Sequence, residues 1–247
     1  DFQGNTKGAL LLEPSRTNLI TQSQSFDNAY WTKNNSSVVS GFTSPDGTTN
    51  AFKLIEDTGT SVHQITGNLI TVSTATNYVT SVCVKSAERT KFAFREQQVT
   101  GNYCVVNLEN NTVIDSSLVT ATFLDLANGW KIVTFKMTTT GTGLYANGFY
   151  LIDDSYTTGN PNPAATYTGD GTSGIYIFGA QLEVGAYPTS YIPTQGSTVT
   201  RLADSCSQTV PDGVIGQTEG TVFFDVNISH IVGNEALGGI NSGGYAN

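Results

Sequence analysis

The sequence is poor in charge, and above all in positive charge. Charged residues make up 13% of the 247 residues, Lys and Arg number only 11, and the formal net charge is −9. Nucleic acids and anionic membranes attract proteins through clustered basic residues, so neither is an expected partner. No apolar run approaches the roughly 20 residues that a membrane-spanning helix needs, so membrane insertion is not expected either.

Cysteine and histidine are equally scarce. The three cysteines, Cys83, Cys104 and Cys206, have no regular spacing and indicate no disulfide framework. A Cys83–Cys104 bridge stays open if their strands pair, and reduced thiols would fit assembly in a bacterial cytoplasm. The two histidines, His63 and His230, complete no zinc motif. We expect His63 on the solvent face of a strand.

Acidic residues give no obvious catalytic pair. Adjacent acids occur at Glu56–Asp57 and at Asp153–Asp154. Neighbours on one strand point to opposite faces, so neither pair alone can flank a glycosidic bond. The sequence therefore predicts a protein that is not an enzyme.

What the chain has in quantity suits short strands and tight turns. It contains 26 glycines, and its aromatic content of 10% can supply a core. No segment sustains a helical period, whereas short alternating segments recur along the chain, which is typical of a β-sandwich. The main predicted strands cover residues 38–43, 51–57, 62–72, 78–85, 92–97, 103–108, 121–126, 130–137, 144–152 and 175–182.

The most strongly patterned stretch runs from residue 173 to residue 201. Both faces of its strand begin apolar, which predicts a central strand with neighbours on both sides. Strict alternation would mark Gln181 and Glu183 as the point where one face meets water. It would also give one shared face to Tyr176, Phe178, Ala180 and Leu182.

Two long motifs carry a family resemblance. IYIFGAQLEVGAYPTSYIPTQGSTVTR, at 175–201, and LLLEPSRTNLI, at 10–20, resemble the closing and opening signatures of a jelly-roll module of bacteriophage tail and head fibre proteins. Such modules are similar to carbohydrate-binding modules, and their host proteins are mostly virion surface proteins. The resemblance implies that the first and last strands lie side by side. Around Pro14, we expect Glu13 and Arg16 to pair with each other across a turn.

The predicted fold class is all-β, a jelly-roll β-sandwich followed by a linker and the first strand of a second, lectin-like sandwich. Residues 1–9 are interpreted as a linker from an upstream part that the sequence lacks, and residues 10–200 as the jelly-roll domain. Residues 201–219 are a second linker. Residues 220–247 are either a partial second β domain or a segment that contacts the first domain or a neighbouring subunit.

Sugar binding needs aromatic faces and fixed polar groups on an exposed strand surface. We expect the two tryptophans, Trp31 and Trp130, to serve as packing positions of the family framework. The remaining glycan-binding candidates are Tyr103, Tyr145 and Asn147, with Arg95 and Gln97 on a neighbouring strand.

The resemblance also implies a structural calcium ion between the first and last strands. Asp27 matches the acid of the opening motif, but the aspartate usual in the last strand is missing, so Gln181 and backbone carbonyls would have to supply oxygen ligands. No other cofactor is expected. The glycines at 169, 171 and 174 satisfy G-x-G-x-x-G, but a strand follows them instead of preceding them, which indicates a loop and no dinucleotide site.

These observations favour a virion surface protein, a phage head or tail fibre segment, that binds a glycan on the host cell or decorates the particle. Its other partners would be virion proteins, and it would form a homotrimer by analogy with such fibres. With a net charge of −9, the composition favours a neutral glycan. The alternatives are a carbohydrate-binding module of a secreted bacterial polysaccharide-degrading enzyme, and a purely structural fibre spacer.

Overall fold

β-Strands make up almost all of the regular structure. The computed structural model describes residues 11–96, 102–159 and 165–205, and its one short helical turn there is a 3₁₀ turn at Ala127–Gly129. The described part has no helix long and apolar enough to cross a membrane. The strands are β1 (Arg16–Asn18), β2 (Thr32–Asn34), β3 (Ser36–Phe42), β4 (Ala51–Glu56), β5 (Thr60–Ser61), β6 (His63–Thr66), β7 (Ile70–Val72), β8 (Asn77–Ser86), β9 (Lys91–Glu96), β10 (Tyr103–Asn107), β11 (Thr112–Ser117), β12 (Val119–Asp125), β13 (Lys131–Thr138), β14 (Gly143–Tyr145), β15 (Asn147–Ile152), β16 (Tyr167–Thr168), β17 (Gly174–Val184) and β18 (Val199–Arg201).

Most strands belong to two six-stranded antiparallel sheets. The first sheet has the order β11-β10-β9-β15-β6-β2, and the second has the order β12-β13-β8-β17-β4-β3. Three two-stranded pairs, β1-β18, β14-β7 and β16-β5, complete the topology. The prediction of an all-β jelly-roll sandwich is confirmed, and β17 is a central strand as its pattern indicated.

Aromatic side chains hold the two sheets face to face. Phe92, Phe94 and Phe149 point inward from the first sheet and Phe135 points inward from the second, and all are buried. The Phe94 and Phe135 rings stack with their centroids 5.0 Å apart. Burying each such side chain stabilises the fold by roughly 1.5–3 kcal/mol. We call the side of each sheet that faces the other sheet its inner face.

The opening and closing motifs are joined through the buried side chain of Asn18. Its Nδ2 donates to the carbonyls of Ile192, at 2.9 Å, and Ala180, at 3.4 Å. Its Oδ1 accepts the backbone N–H groups of Ile20 and Leu182, each at 3.1 Å. The expectation that the first strand lies beside the last is therefore confirmed.

A β-bulge in β17 overturns the strict alternation expected there. The register shifts between Phe178 and Gln181, and Gly179 lies in the left-handed region at φ 62°. Before the bulge, Tyr176 and Phe178 belong to the outer face. After it, Ala180 and Leu182 point into the core. The extra residue reverses the facing of the strand, so the prediction of one shared face was wrong.

Two further expectations about the closing motif were wrong. Gln181 and Glu183 do not meet water, because both side chains are fully buried and bond to the segment that follows the strand, with Glu183 accepting the N–H of Thr189 at 3.0 Å. Glu13 does not pair with Arg16, because its carboxylate binds Arg201 of β18 instead. The long-range antiparallel pairing of β1 with β18 brings Arg201 to that position.

The expectation of a solvent-facing His63 was also wrong. The side chain is fully buried, its Nδ1 lies 2.7 Å from the carbonyl oxygen of Asn35, and its ring lies 4.5 Å from that of Tyr167. The loop at residues 169–174, which we call the glycine loop, permits this packing. A Cβ at Gly169 would lie 3.0 Å from the His63 ring and 2.0 Å from the Asp57 carbonyl oxygen.

The possible disulfide bridge between Cys83 and Cys104 is absent from the structure. Cys83 lies in β8 of the second sheet and Cys104 in β10 of the first sheet, and both are free thiols, so they form no bridge.

The described residues belong to one unit that ends at Ser205. Gln97, Cys206 and His230 lie outside the described residues, as do residues 1–10 and 206–247.

The Asn18 bonds lead to a stability prediction. Asn18→Ala is expected to lower the free energy of unfolding by at least about 3 kcal/mol, because it leaves several buried backbone groups unpaired at a cost of about 1–3 kcal/mol each. Asn68→Ala, at an exposed position, is the control and should change it by less than about 0.5 kcal/mol. Urea unfolding of both variants measures the difference. Equal stabilities would contradict the assigned role of the amide.

Candidate functional site

Side chains alternate between the two faces along the strands of the first sheet and along β14. The residues predicted to bind sugar therefore lie on different faces. Tyr145 and Asn147 point inward and have no exposed area. The Tyr145 hydroxyl donates to Asn147 Oδ1 at 3.0 Å, and the Thr80 hydroxyl donates to the same oxygen at 2.8 Å. Burial raises the pKa of Tyr145. A side chain without exposed area cannot stack on a sugar, so the expectation that Tyr145 and Asn147 line a binding face is corrected.

Tyr103 and Arg95 lie on the outer face of the first sheet. They oppose each other across β10 and β9, and both are half-buried. The Tyr103 hydroxyl donates to Asp115 Oδ2 at 3.1 Å, and the same oxygen accepts the N–H of Gly159 at 2.6 Å. Asp115 of β11 therefore occupies the polar end of Tyr103, and the loop after β15 bonds to the same carboxylate. Gln97, the fifth candidate, lies outside the described residues.

The proposed calcium ligands do not fit a cation site. Gln181 is fully buried, and its Oε1 accepts the N–H of Ile192 at 2.6 Å. Asp27 is exposed on the surface. Over the described ranges, no three His, Cys, Asp or Glu side chains form a group that could hold a metal ion. The amide that would replace the missing aspartate serves instead to fix the closing motif.

An aromatic pocket lies on the outer face of the second sheet. It has a volume of about 200 Å³ and is lined by Phe42, Thr43, Lys85, Trp130 and Tyr176. The Tyr176 ring centroid lies 4.9 Å from that of Phe42 and 6.5 Å from that of Trp130. Phe42 and Tyr176 are half-buried, whereas Trp130 is 3% exposed. The pocket therefore combines three aromatic side chains with an ammonium group and a hydroxyl group.

Backbone irregularities position the pocket residues. Gly41, at φ 95°, forms a bulge in β3 that places Phe42 opposite Ala51, on the outer face. Asn128 and Gly129, at φ 59° and 78°, make a left-handed turn that ends at Trp130. These conformations suit glycine and asparagine because other side chains clash there.

Lys85 stands beside Tyr176 in the same pocket. The two residues are cross-strand neighbours, and Lys85 Nζ lies 5.9 Å from the centre of the Tyr176 ring. On the other side, Tyr176 is opposite Lys53, whose ammonium lies 2.7 Å from a Glu88 carboxylate oxygen. In the described part of the chain, Lys85 makes no ion pair.

A buried charge network lies elsewhere, near β16 and the glycine loop. Glu56 is 1% exposed, and one of its oxygens accepts Arg89 Nη2 at 2.6 Å and the N–H of Asp170 at 3.0 Å. The other accepts Arg89 Nε at 2.8 Å and the Tyr167 hydroxyl at 2.7 Å. Arg89 also donates to Asp153 at 3.0 Å. Four donors saturate the Glu56 carboxylate, so the network fits a structural role.

An apolar groove of about 500 Å³ lies further along the outer face of the second sheet. Leu11, Leu124 and Tyr191 line it, and both leucines are more than half exposed. Cys83 also lines it, and burial raises the pKa of that thiol to about 12, so the thiol stays protonated and unreactive at neutral pH.

Sequence reasoning missed the aromatic pocket. The sequence predicts packing for Trp130, which is indeed only 3% exposed, and strict alternation assigns Tyr176 to the face of Leu182. The signals that could have found the pocket are the Gly41 and Asn128–Gly129 positions beside aromatic residues.

No protein-family model matches this sequence, and the search of curated proteins finds no match. Three similar solved structures are the following. The enzymatically active domain of tailspike protein 4 of bacteriophage CBA120 is 14% identical over 67% of this chain and 21% of that chain, with a TM-score of 0.40. A Clostridium thermocellum xylanase fragment with CBM22 and GH10 modules is 10% identical over 73% and 30%, with a TM-score of 0.40. The C-terminal CBM6 of a laminarinase from Zobellia galactanivorans is 12% identical over 69% and 99%, with a TM-score of 0.33.

These structures are one phage tailspike domain and two proteins that contain carbohydrate-binding modules. The chain spans about a fifth of the tailspike domain and under a third of the xylanase fragment. All three identities are below 25% and all three TM-scores are below 0.5. The three structures therefore assign no function to this chain.

The structural role of the charge network leads to a prediction. Glu56→Gln is expected to lower the free energy of unfolding by about 3 kcal/mol, because it leaves the Arg89 guanidinium partly buried without its main counter-ion. Glu88→Gln removes the same charge from an exposed pair and should cost less than about 1 kcal/mol. Chemical unfolding of the two variants tests this, and a smaller loss for Glu56→Gln than for Glu88→Gln would refute it.

Proposed function

We propose that this chain is a non-enzymatic glycan-binding module of a virion surface protein, a phage head or tail fibre, and that the aromatic pocket is its sugar site. One observation carries the assignment of the site. Phe42, Trp130 and Tyr176 converge from separate parts of the chain on a pocket of about 200 Å³ on the outer face of the second sheet.

The chemistry of the pocket suits a sugar ring. One face of a pyranose carries C–H groups that pack on aromatic rings, while its hydroxyls need hydrogen-bond partners at the edge. The half-buried rings of Phe42 and Tyr176 supply the apolar contact, with the nearly fully buried Trp130 packed beside Tyr176. The Thr43 hydroxyl and the Lys85 ammonium supply polar groups. The volume is small for a ligand site, which favours one sugar residue of a longer glycan.

The virion part of the proposal rests on the two sequence motifs and their resemblance to phage fibre modules. The location would be the virion surface after assembly in the bacterial cytoplasm, and the free thiols of Cys83 and Cys104 are compatible with that reducing compartment. The proposed partners are a host-cell glycan, other virion proteins and two further copies in a homotrimer. Sedimentation equilibrium of the purified chain tests the trimer.

The absence of catalysis is part of the proposal. Hydrolysis of a glycosidic bond needs two carboxyl groups that are free to donate and accept protons. Glu56 and Asp153 both bind Arg89, and the Glu56 oxygens are occupied by four donors. This supports a binding role, and assays of reducing-end release from the bound glycan test it.

A glycan array with the chain displayed in several copies tests the sugar site, because weak single sites gain strength from multivalency. Tyr176→Ala is expected to weaken binding of the selected glycan about tenfold or more through loss of the ring contact. Tyr176→Phe keeps the ring and should bind nearly as well. Tyr103→Ala, on the outer face of the first sheet, is the matched control and should keep binding.

The outcome also separates the alternatives. Binding that survives Tyr176→Ala but fails in Tyr103→Ala would move the site to the first sheet and refute the pocket. Failure to bind any glycan or host cell would favour the structural spacer. If the chain binds, the full reading frame separates a fibre protein from a module attached to a polysaccharide-degrading enzyme.

A further inference from the structure

We propose that the aromatic pocket selects a sugar residue that carries a carboxylate, and that Lys85 is the group that binds this carboxylate. The inference rests on the proposed function, because it names the class of sugar that the same pocket takes. It differs from the expectation drawn from composition, which favours a neutral glycan.

The position of Lys85 is fixed by its neighbours. Its side chain is half-buried, and a Cβ at Gly129 would lie 3.7 Å from its Cε, so the aliphatic part runs along the left-handed turn before Trp130. Its Nζ lies 5.9 Å from the centre of the Tyr176 ring. The ammonium is therefore held at the aromatic wall, where a sugar that stacks on Tyr176 would meet it.

Several basic residues of the described chain have a carboxylate partner, whereas Lys85 and Arg16 each lie near an aromatic ring and make no ion pair. Lys53 binds Glu88, Lys131 binds Asp125, and Arg201 binds Glu13. Lys85 faces a ring and makes no ion pair within the described ranges. A half-buried cation without a counter-ion has lost part of its hydration, so the lysine itself pays little further desolvation when an anion enters the pocket and forms a favourable contact with it.

The charge lining the pocket has a single sign. Lys85 is its one ionisable cation, and neither Asp nor Glu is among the lining residues. The overall charge of −9 acts on a ligand at long range, but exposed charges are screened beyond about 8–10 Å at physiological salt. Once an acidic sugar is in contact, Lys85 dominates its electrostatic environment. Overall charge should then slow its approach more than it weakens the bound state.

The combination of groups favours a sugar with a carboxylate over a sugar with a phosphate. The aromatic side chains need the C–H face of a ring, and a single ammonium balances the single negative charge of a carboxylate. A uronic acid residue presents both features in one unit, with its carboxylate at the edge of the ring. A phosphate monoester carries up to two negative charges and would leave one unpaired beside Lys85.

The experiment uses the whole 247-residue chain on an array of neutral and acidic glycans that includes oligogalacturonate, oligoalginate, hyaluronan and oligosialic acid. The strongest acidic binder is then compared with its methyl ester, which keeps the sugar and removes the charge. The variants are Lys85→Gln and, as a matched control, Lys136→Gln. Lys136 lies on β13 outside the pocket, so its change alters the net charge equally.

We expect Lys85→Gln and methyl esterification each to weaken binding about tenfold, and the two changes together to weaken it little more, because both remove the same contact. Lys136→Gln should leave the affinity within about twofold, since Lys136 is not among the residues that line the pocket and salt screens charges at a distance. Binding of a neutral glycan that depends on Tyr176 but not on Lys85 would overturn this inference and leave the proposed function standing. Binding of no glycan would overturn both, and equal losses in the two lysine variants would overturn this inference alone.

Discussion

The side-chain amide of Asn18 is the contact on which the described fold most depends. It is buried and binds backbone groups at Ile20, Ala180, Leu182 and Ile192, so one residue joins the opening strand, the central strand β17 and the closing segment. An amide can do this because it offers both donors and an acceptor, which the unpaired backbone groups of both segments require. The opening and closing motifs resemble one family signature together, and the structure gives the physical reason: their residues complete one hydrogen-bonded unit across more than 160 positions of sequence.

The bulge at Gly179 lies directly beside this contact and decides what the strand offers to each face. Ile175 and Ile177 fill the core before it, and Ala180 and Leu182 fill the core after it. Tyr176 and Phe178 are left on the outer face, with Trp130 and Phe42 as neighbours. A Cβ at Gly179 would lie 3.3 Å from the Tyr191 ring, so the missing side chain also leaves room for the closing segment. The bulge at Gly179 therefore affects the packing of the core, the contact between the opening and closing motifs, and the aromatic pocket.

The sequence predicted the strands well because the alternation of apolar and polar residues is visible within each short segment. The predicted strand at 78–85 is Asn77–Ser86 in the structure, and that at 130–137 is Lys131–Thr138. It did not predict which polar residues would be buried. His63, Gln181 and Tyr145 are polar or amphipathic, and each finds its bonding partner through tertiary contacts that a local pattern does not encode. The Tyr167 carbonyl that faces His63 is 104 positions away. Burial of a polar group depends on such a partner, so hydropathy alone places it at the surface.

The sequence did not predict the candidate site, for a related reason. Its aromatic residues are unexceptional one by one, and what brings them together is irregular backbone. Gly41 shifts the register of β3 so that Phe42 faces outward, and the Asn128–Gly129 turn delivers Trp130 to the same place. An alternating pattern assumes that no residue is inserted, and one insertion reverses the facing of every residue after it. Glycine or asparagine next to an aromatic residue is therefore the more informative sequence signal in this chain, because such residues allow the positive φ that moves a ring from the face predicted by alternation. The charge of the site is also a local property. In the proposed site, Lys85 acts on a ligand through its position beside Tyr176, which the net charge of the chain does not predict.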